Sequence, residues 1–570
     1  MVTPQPISSE PVLDADSARD PEAQRALPSR RRVRAPVPGS VDVAVIGSGL
    51  GGLTAAAYLA RQGLKVAVFE SHYVAGGCAT QFRRRGADGI YHFDVGLHYI
   101  GDCGPSGRIP TILREVGIAI DYLPMDQDGF DTLIFPELRF RIPASVEVYR
   151  QRLLDLFPGE RRGIDRYVGL LRAVMKLIRQ NADSRPSVRM LMSLGLEALT
   201  LARTRGSTIA EFLDTCTRDP RLRAVMLGQS GDYGVPPSEA SALLHLGLAG
   251  HYFLGAYYPK GGGQVIADRL VDAIEAHGGT VHLRHPVERV LMTGGRATGV
   301  RLEPRNGEPA VEVQARAVLS NADLIMTLER LVGREHLSSE WTGRLAGFRM
   351  ADAIFITFLG VKADMRKKGM GATNYWQFDD YDVERFYQGM RTAAPDGSLA
   401  SRGCYITSAS LKDPENALHH APAGVTNIEV MTVVPGAASR WGATPAEAEG
   451  WGYRKTERYL ALKHSIEQQL VDRLEALFPG TAETIVFRES ATPLSHIRYT
   501  RATDGTGYGL AATPGQFLQR RPGHRGPVGG LYLCGASTRA GHGILGAMSG
   551  GRGAARRIAA ELGRPLHLDS

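Results

Sequence analysis

The stretch Val41-Asp-Val-Ala-Val-Ile-Gly-Ser-Gly-Leu-Gly-Gly52 decides the fold of this chain. Its first six residues form the short apolar run that is typical of a strand buried in a parallel sheet. After the glycines, apolar residues recur at helical spacing over 53–60, and Gly63 ends the helical pattern. A second apolar run, Lys65–Phe69, completes a predicted βαβ unit within about thirty residues.

The glycines of this turn have the G-x-G-x-x-G spacing that accommodates a dinucleotide. Gly47 makes the tight turn, Gly49 lets the backbone approach a pyrophosphate, and Gly52 lets the helix pack closely on the strand. The N-terminus of the helix attracts the anion. Glu70 ends the second strand, eighteen residues after Gly52, where a carboxylate accepts hydrogen bonds from ribose hydroxyls and disfavours a ribose 2′-phosphate.

Composition excludes several other classes of protein. With 570 residues, 43% hydrophobic and 22% charged, the chain matches ordinary globular proteins rather than disordered or disulfide-stapled ones. The formal charge of +8 is spread along the chain, which predicts no nucleic-acid binding but is compatible with an anionic membrane surface. The five cysteines form no C-x-x-C pair, and no His or Cys spacing indicates a metal site. We expect a cytoplasmic protein without a signal peptide.

Further motifs show which dinucleotide the chain binds. Gly76-Gly-Cys78 follows Glu70, and near the other end Gly530-Leu-Tyr-Leu-Cys-Gly535 leads into Gly541-His-Gly-Ile-Leu-Gly546. Large flavoproteins enclose FAD in this way: a glycine fingerprint near the start of the chain and a glycine-rich strand–helix turn near its end both contact the cofactor. The chain therefore resembles the phytoene desaturase and carotenoid isomerase superfamily of FAD oxidoreductases, and within it the retinol saturase branch with its bacterial relatives.

The resemblance covers nearly everything after residue 41. It is carried by these additional stretches: Phe93-Asp-Val-Gly-Leu-His-Tyr-Ile-Gly101, Asp232-Tyr-Gly-Val235, Tyr258-Pro-Lys-Gly-Gly262 and Val318-Leu-Ser-Asn-Ala322. Two positions depart from the saturase pattern. Lys260 stands where an Arg is expected, which removes a bidentate donor, and Gly535-Ala-Ser537 replaces a more polar pair.

The resemblance implies an α/β fold with an FAD-binding Rossmann-like domain of the glutathione-reductase type and a discontinuous mixed α+β substrate domain. After a disordered leader at 1–40, the FAD-binding domain is expected to span 41–145, 260–345 and 496–563. A helical cap and an antiparallel sheet, from 146–259 and 346–495, would bind the substrate. The residues implied at FAD are Gly47, Ser48, Gly49, Gly52, Glu70, Gly76, Gly77, Cys78, Val287, Gly535, Leu545 and Gly546.

Candidate catalytic and substrate residues are less well defined. His98 and Tyr99 belong to a segment that passes near the flavin ring in related flavoproteins, so either can protonate a substrate carbon. The same pair also fits a packed aromatic contact. The uncharged segment 240–259 is expected to be a buried helix and loop rather than a membrane span. Its His245, His251, Tyr252, Tyr257 and Tyr258 suit an apolar tunnel for a polyene, or plain core packing.

The implied activity is FAD-dependent oxidoreduction of carbon–carbon double bonds in a hydrophobic polyene or isoprenoid, foremost their reduction. A desaturase or cis–trans isomerase would use the same site, because the direction of electron flow depends on an external electron donor or acceptor. A non-catalytic prenyl-lipid carrier of the GDP-dissociation-inhibitor type also shares the fold, although the intact glycines argue against it. We expect peripheral membrane association, since the substrate has to be drawn from lipid.

Overall fold

The computed structural model describes residues 36–179, 196–305, 307–392, 399–450 and 452–566. The leader expected at 1–40 lies outside these ranges up to residue 35. The strands are β1 (Ser40–Ile46), β2 (Val66–Glu70), β3 (Gln81–Gly86), β4 (Gly89–Asp94), β5 (Ile100–Gly101), β6 (Tyr122–Pro124), β7 (Asp131–Phe135), β8 (Leu138–Ile142), β9 (Ala256–Pro259), β10 (Thr280–Leu283), β11 (Val287–Thr293), β12 (Arg296–Leu302), β13 (Glu312–Ser320), β14 (Ala353–Val361), β15 (Asn374–Phe378), β16 (Gly403–Thr407), β17 (Thr426–Val434), β18 (Ile485–Ala491) and β19 (Leu531–Leu533).

Helices of four or more residues alternate with these strands. They are α1 (Leu50–Arg61), α2 (Arg108–Arg114), α3 (Val146–Leu156), α4 (Arg161–Arg179), α5 (Leu196–Thr204), α6 (Ile209–Asp214), α7 (Pro220–Leu227), α8 (Ala242–Tyr252), α9 (Gln264–Ala276), α10 (Ser339–Gly347), α11 (Glu384–Arg391), α12 (Ala409–Lys412), α13 (Ala417–His420), α14 (Pro445–Glu449), α15 (Glu457–Leu477), α16 (Pro493–Thr500) and α17 (Gly543–Glu561).

The βαβ unit predicted from the sequence lies at the centre of a seven-stranded sheet. The strand order is β10-β2-β1-β13-β12-β11, and β19 adds to β13. Strands β10, β2, β1, β13 and β19 are parallel, whereas β11 and β12 form an antiparallel extension. Side chains of β1 enter a different core on each face, Val43 and Val45 on one and Ala44 and Ile46 on the other. Burial on both faces explains why this strand is a continuous apolar run.

Helix α1, near the start of the described chain, packs against α17 near its end. It also packs against α9. The contact with α17 is close. A Cβ added to Gly551 would clash with the backbone of Gly51, so glycine is needed for the two helices to approach. Similarly, a Cβ on Gly52 would clash with the carbonyl oxygen of Gly47, in agreement with the helix–strand packing role predicted for Gly52.

A second seven-stranded sheet has the order β18-β14-β17-β16-β15-β7-β8. Its strands are antiparallel except for the parallel pair β15 and β7. The antiparallel strands expected between 346 and 495 are therefore present. One boundary needs correction, because β7 and β8 were assigned to the segment 41–145 but pair in this second sheet. The pairing of β7 with β15 joins distant segments, so it leaves no pattern in the local sequence. The division of the chain into domains stays a prediction.

Helices predominate in the described parts of 146–259, as the sequence predicts, and α8 contacts α4. The uncharged segment 240–259 forms α8, a short turn and strand β9. Among the described residues, no helix combines the length and the apolar character required to cross a membrane.

Candidate active site

The glycine turn between β1 and α1 forms a cradle of bare backbone. Gly47 has a φ of +88°, which favours glycine, and Gly49 is the N-cap of α1. A Cβ on Gly49 would lie 2.7 Å from Asn321 Nδ2, and one on Gly77 would lie 3.0 Å from the Cα of Gly49. The amide of Gly76 donates to the Ser48 carbonyl oxygen at 2.9 Å. The two glycine turns therefore meet at the N-terminus of α1, where an anion is favoured.

Glu70 holds this turn together from the end of β2. Its Oε2 accepts hydrogen bonds from Ser48 N at 2.7 Å and Ser48 Oγ at 2.8 Å, and its Oε1 accepts from His72 N at 2.7 Å. Ser48 is fully buried, so its side chain serves the turn rather than a ligand. The carboxylate of Glu70 thus orders the backbone beside the position predicted for the ribose, and its contact with ribose hydroxyls stays a prediction.

A cavity of about 1220 Å³ opens from this turn. Most of the residues predicted at FAD line it: Gly47, Gly49, Glu70, Gly76, Gly77, Cys78, Val287, Gly535, Leu545 and Gly546. Ser48 and Gly52 are behind the lining, where they shape the turn. Leu545 and Gly546 belong to the first turn of α17, so a second helix N-terminus also faces this cavity.

The same cavity continues as an apolar arm, which we define by its lining from α4, α8 and the second sheet. Its members are Val174, Leu244, Leu248, Ile356, Phe358, Trp376, Tyr405, Met431 and Val433. Trp376 and Tyr405 meet edge to face, with ring centroids 4.5 Å apart. One continuous cavity therefore offers both backbone amides at helix ends and hydrocarbon contacts.

Only part of the predicted tunnel lies at this arm. His251 and Tyr252 line the cavity, whereas His245, Tyr257 and Tyr258 do not. The prediction for the latter three is corrected. The side of α8 that faces the arm repeats at helical spacing through 244, 247, 248 and 251, and His245 falls on the other side. Tyr257 and Tyr258 belong to β9, which pairs with β5 and β6.

His245 is a buried structural residue. Its Nδ1 accepts from the Tyr233 hydroxyl at 3.0 Å, and its Nε2 donates to the Met226 carbonyl oxygen at 2.9 Å. Burial lowers the pKa of His245 to about 4, because the charged imidazolium is poorly solvated there.

His98, a predicted catalytic residue, lies at the cavity wall and contacts a buried carboxylate. Its Nδ1 is 2.8 Å from Glu429 Oε2, and Asp94 N donates to Glu429 Oε1 at 2.9 Å. Lys412 Nζ donates to the His98 carbonyl oxygen. Burial lowers the pKa of Lys412 to about 8, although nearby carboxylates oppose that effect. His98 is thus anchored at both its backbone and its ring.

Tyr99, the other predicted catalytic residue, connects two buried carboxyl groups. Its hydroxyl lies 2.6 Å from Asp232 Oδ2 and 3.2 Å from Asp131 Oδ2. Its ring stacks on that of Tyr252, with centroids 4.1 Å apart. Tyr99 and Asp232 both line the cavity. The catalytic roles of His98 and Tyr99 stay predictions.

Several residues of the site were not singled out from the sequence: Asp131, Asp232, Asn321, Lys412 and Glu429. Two of them belong to motifs that carried the resemblance, Asp232 in the stretch 232–235 and Asn321 in the stretch 318–322. Those motifs were therefore a usable signal. Asp131, Lys412 and Glu429 lie in β7, α12 and β17, where nothing in the local pattern distinguishes them from structural residues.

Comparison with known proteins decides the family. The model of the family described as flavin containing amine oxidoreductase matches residues 50–325 and 458–559. The chain belongs to this family. Its relatives include all-trans-retinol 13,14-reductase of Rattus norvegicus, 30% identical over 95% of this chain and 88% of that protein. The enzyme of the same name from Danio rerio is 28% identical over 94% and 88%. Prolycopene isomerase of Daucus carota is 25% identical over 92% and 80%.

Two solved structures share the fold of this chain. An oxidoreductase from Methanosarcina mazei aligns with a TM-score of 0.57 at 18% identity, covering 90% of this chain and 99% of that one. A putrescine oxidase bound to putrescine aligns with a TM-score of 0.57 at 15% identity, covering 92% and 99%. At these identities the likeness shows the fold alone.

The residues present fit FAD, and this member of the flavin containing amine oxidoreductase family is an FAD-dependent oxidoreductase. The turn at Gly49 has space for a pyrophosphate only because no Cβ fills it. Glu70 lies at one end of the cavity lining, and Gly535 and Gly546 supply backbone at another part. The predicted superfamily, fold class and cofactor are confirmed.

Proposed function

We propose that this enzyme reduces one carbon–carbon double bond in a hydrophobic polyene or isoprenoid. The observation that carries the proposal is that the apolar arm and the residues predicted at FAD line the same cavity. A long hydrocarbon in that arm would place one of its double bonds beside the cofactor. The relatives named retinol reductase and prolycopene isomerase support a polyene as the substrate class.

The protein contributes orientation and exclusion of water. When bound, FAD supplies the two-electron transfer to or from carbon. Aromatic side chains of the arm, among them Trp376 and Tyr405, hold a flat conjugated chain by ring contact and leave little room for sliding. The apolar lining of the arm disfavours water beside the reacting carbons, which leaves protein groups at the wall as candidate proton donors.

Isomerisation or desaturation of a carotenoid-like substrate is the second candidate. It is favoured by the likeness to prolycopene isomerase, which covers 92% of this chain. The same cavity serves either reaction, since the substrate class and the cofactor are shared. The electron partner determines which reaction occurs.

Product analysis on the purified protein tests the proposal. The protein should be yellow and show a flavin absorbance spectrum, which a non-catalytic carrier would lack. After anaerobic reduction with dithionite, retinol, a carotene and an unsaturated fatty acid are added separately. A product two hydrogens heavier, with reoxidation of the flavin, is expected from retinol or the carotene. A product of unchanged mass and altered double-bond geometry would show that the enzyme is an isomerase and not a reductase.

We also propose that the enzyme attaches to membrane surfaces. A polyene has to be drawn from lipid, and the formal charge of +8 favours an anionic surface. Attachment of this kind weakens with ionic strength. The protein should therefore sediment with vesicles that contain phosphatidylserine at low salt and be released by 1 M NaCl. Retention at high salt that only detergent reverses would contradict electrostatic attachment.

A further inference from the structure

The cavity wall carries a carboxyl group that none of the preceding roles uses. Asp232 lies in the turn Ser230–Tyr233, just after α7, and its side chain lines the cavity. Apolar and aromatic residues predominate around it, which is an unfavourable place for an unpaired carboxylate. A group of this kind at a ligand cavity indicates chemistry rather than stability.

A chain of contacts links the turn that carries Asp232 with helix α17. The carbonyl oxygen of its neighbour Gly231 accepts from the Tyr508 hydroxyl at 3.1 Å. The ring of Tyr508 meets that of His542 at a centroid distance of 5.6 Å, edge to face. His542 is the N-cap of α17, the helix whose first turn lines the cavity. These contacts connect the turn that carries Asp232 with the N-terminus of α17, and Asp232 and the first turn of α17 line the same cavity.

A hydrogen-bonded row connects Asp232 with Asp131 through Tyr99. Asp131 Oδ1 accepts from Asn374 Nδ2 at 2.9 Å, and its Oδ2 accepts from Gln229 Nε2 at 2.8 Å. Two amide donors suit an ionised Asp131. Among the described residues, Tyr99 is the partner of the Asp232 carboxyl group, at 2.6 Å. A phenol has one proton and can donate it to one carboxylate only.

The surroundings of the two carboxyl groups favour different protonation states. The geometry accommodates a neutral Asp232 that donates to the Tyr99 oxygen while the phenol donates to Asp131. Burial and the charge of Asp131 raise the pKa of Asp232 well above its usual range. Burial also raises the pKa of Asp131 to about 6, although its amide and phenol donors and Lys412 oppose the rise. Of the two groups, burial therefore favours the protonated form more strongly at Asp232.

We propose that Asp232 is the acid that protonates the substrate carbon, with Tyr99 as its positioning residue and Asp131 as the anion behind it. This role rests on the proposed function. In the reduction, bound reduced FAD would supply a hydride to one carbon of the double bond, and the neighbouring carbon would form a C–H bond with the Asp232 proton. The π bond breaks and Asp232 is left as a carboxylate. Solvent returns the proton after the product leaves, and an external two-electron donor reduces the cofactor again.

The pH dependence follows from the groups that face Asp232. They are Asp131 on β7, Tyr99 before β5, the adjacent Tyr233, Tyr252 on α8, Tyr405 on β16 and Tyr508 before β19. Among the described residues, the interactions that shift the pKa of Asp232 include no cation. Reduction should therefore become slower as the pH rises through the pKa of Asp232, because the acid form is lost.

Asp232→Asn tests the role with little change in shape. We expect unchanged FAD content and unchanged reduction by dithionite, but polyene-dependent reoxidation slowed by about 100-fold or more. The remaining rate of this variant should no longer decrease as the pH becomes alkaline. Asp232→Glu should recover part of the rate. In D₂O, the wild-type product should carry one deuterium from solvent. As the control, Asp364→Asn changes a surface ion pair with Lys367 and should leave every readout unchanged.

Infrared spectroscopy supplies a readout that needs no substrate. At pH 7 the wild-type protein should show the C=O stretch of a protonated carboxyl group, and the band should be absent from Asp232→Asn. If Asp232→Asn reduces polyenes at the wild-type rate, or if the band persists in it, the inference is overturned. If the wild-type protein turns over no polyene, the proposed function fails instead. The infrared band alone then shows whether Asp232 is protonated at neutral pH.

Discussion

At the scale of single residues, Gly49 is a position in the glycine turn with little room for a side chain. A Cβ there would lie 2.7 Å from Asn321 Nδ2, and the Cα of Gly49 already faces Gly77. Gly49→Val should therefore purify without flavin, because the side chain occupies the place of the pyrophosphate. The flavin-to-protein absorbance ratio measures this. Gly39→Val is the control, since a Cβ at Gly39 meets nothing within 4 Å. A yellow Gly49→Val protein would refute the placement.

His98 distinguishes two proton sources. The sequence makes His98 a candidate acid, whereas the structure points to Asp232. His98→Phe should keep its FAD, and if Asp232 is the acid the rate of reoxidation by a polyene should fall less than about tenfold. A loss as large as that in Asp232→Asn would return the role to His98. His98→Gln retains a donor toward Glu429 and controls for exposure of that buried carboxylate.

At the scale of elements, the wall formed by α8 decides which substrates fit. A Cβ on Gly247 would be 3.8 Å from Ile178 Cδ1, and Gly247 lines the arm. Gly247→Leu should fill part of the arm and raise the KM for a long carotenoid more than for retinol, while FAD content stays the same. Gly169→Leu on α4 is the matched control, because a Cβ there meets only Glu197 Oε1 at 3.9 Å. Equal KM values for both variants would argue against substrate in this arm.

At the scale of the whole molecule, acid should unfold the protein through its buried histidines. Burial lowers the pKa of His245, His282 and His496 to about 4, and that of His251 and His542 to about 3. These imidazoles are neutral when folded and protonate near pH 6.5 when unfolded. The unfolded state then binds more protons, so the stability present above pH 6.5 is lost as the pH falls toward 4.

His245 offers a test of this linkage, since its side chain is 0% exposed and lies outside the cavity. A pKa lowered from 6.5 to about 4 corresponds to roughly 3 kcal/mol. The stability difference between wild type and His245→Gln, measured by urea unfolding, should shrink by about that amount between pH 7 and pH 4. Leu418→Gln, at a position 74% exposed, should show a constant difference. A constant difference for His245→Gln would contradict a neutral buried imidazole.

The sequence by itself determined the βαβ unit, the glycine cradle, the FAD cofactor and the family. These features depend on residues adjacent in the chain, such as Gly47 to Gly52 and the strand before them, whose conformation follows from local spacing. The antiparallel strands between 346 and 434 were predictable for the same reason, since alternation and turn residues mark them.

Only the tertiary structure decided which side chains meet in the cavity. His245 and His251 stand in one helix, but its packing turns only His251 toward the arm. Tyr99 lies between Asp131 and Asp232 because β7 pairs with β15, far along the chain, in the second sheet. Side-chain orientation and strand pairing of this kind result from packing between distant segments, which local sequence patterns do not encode. The carboxyl pair became visible only in the folded chain.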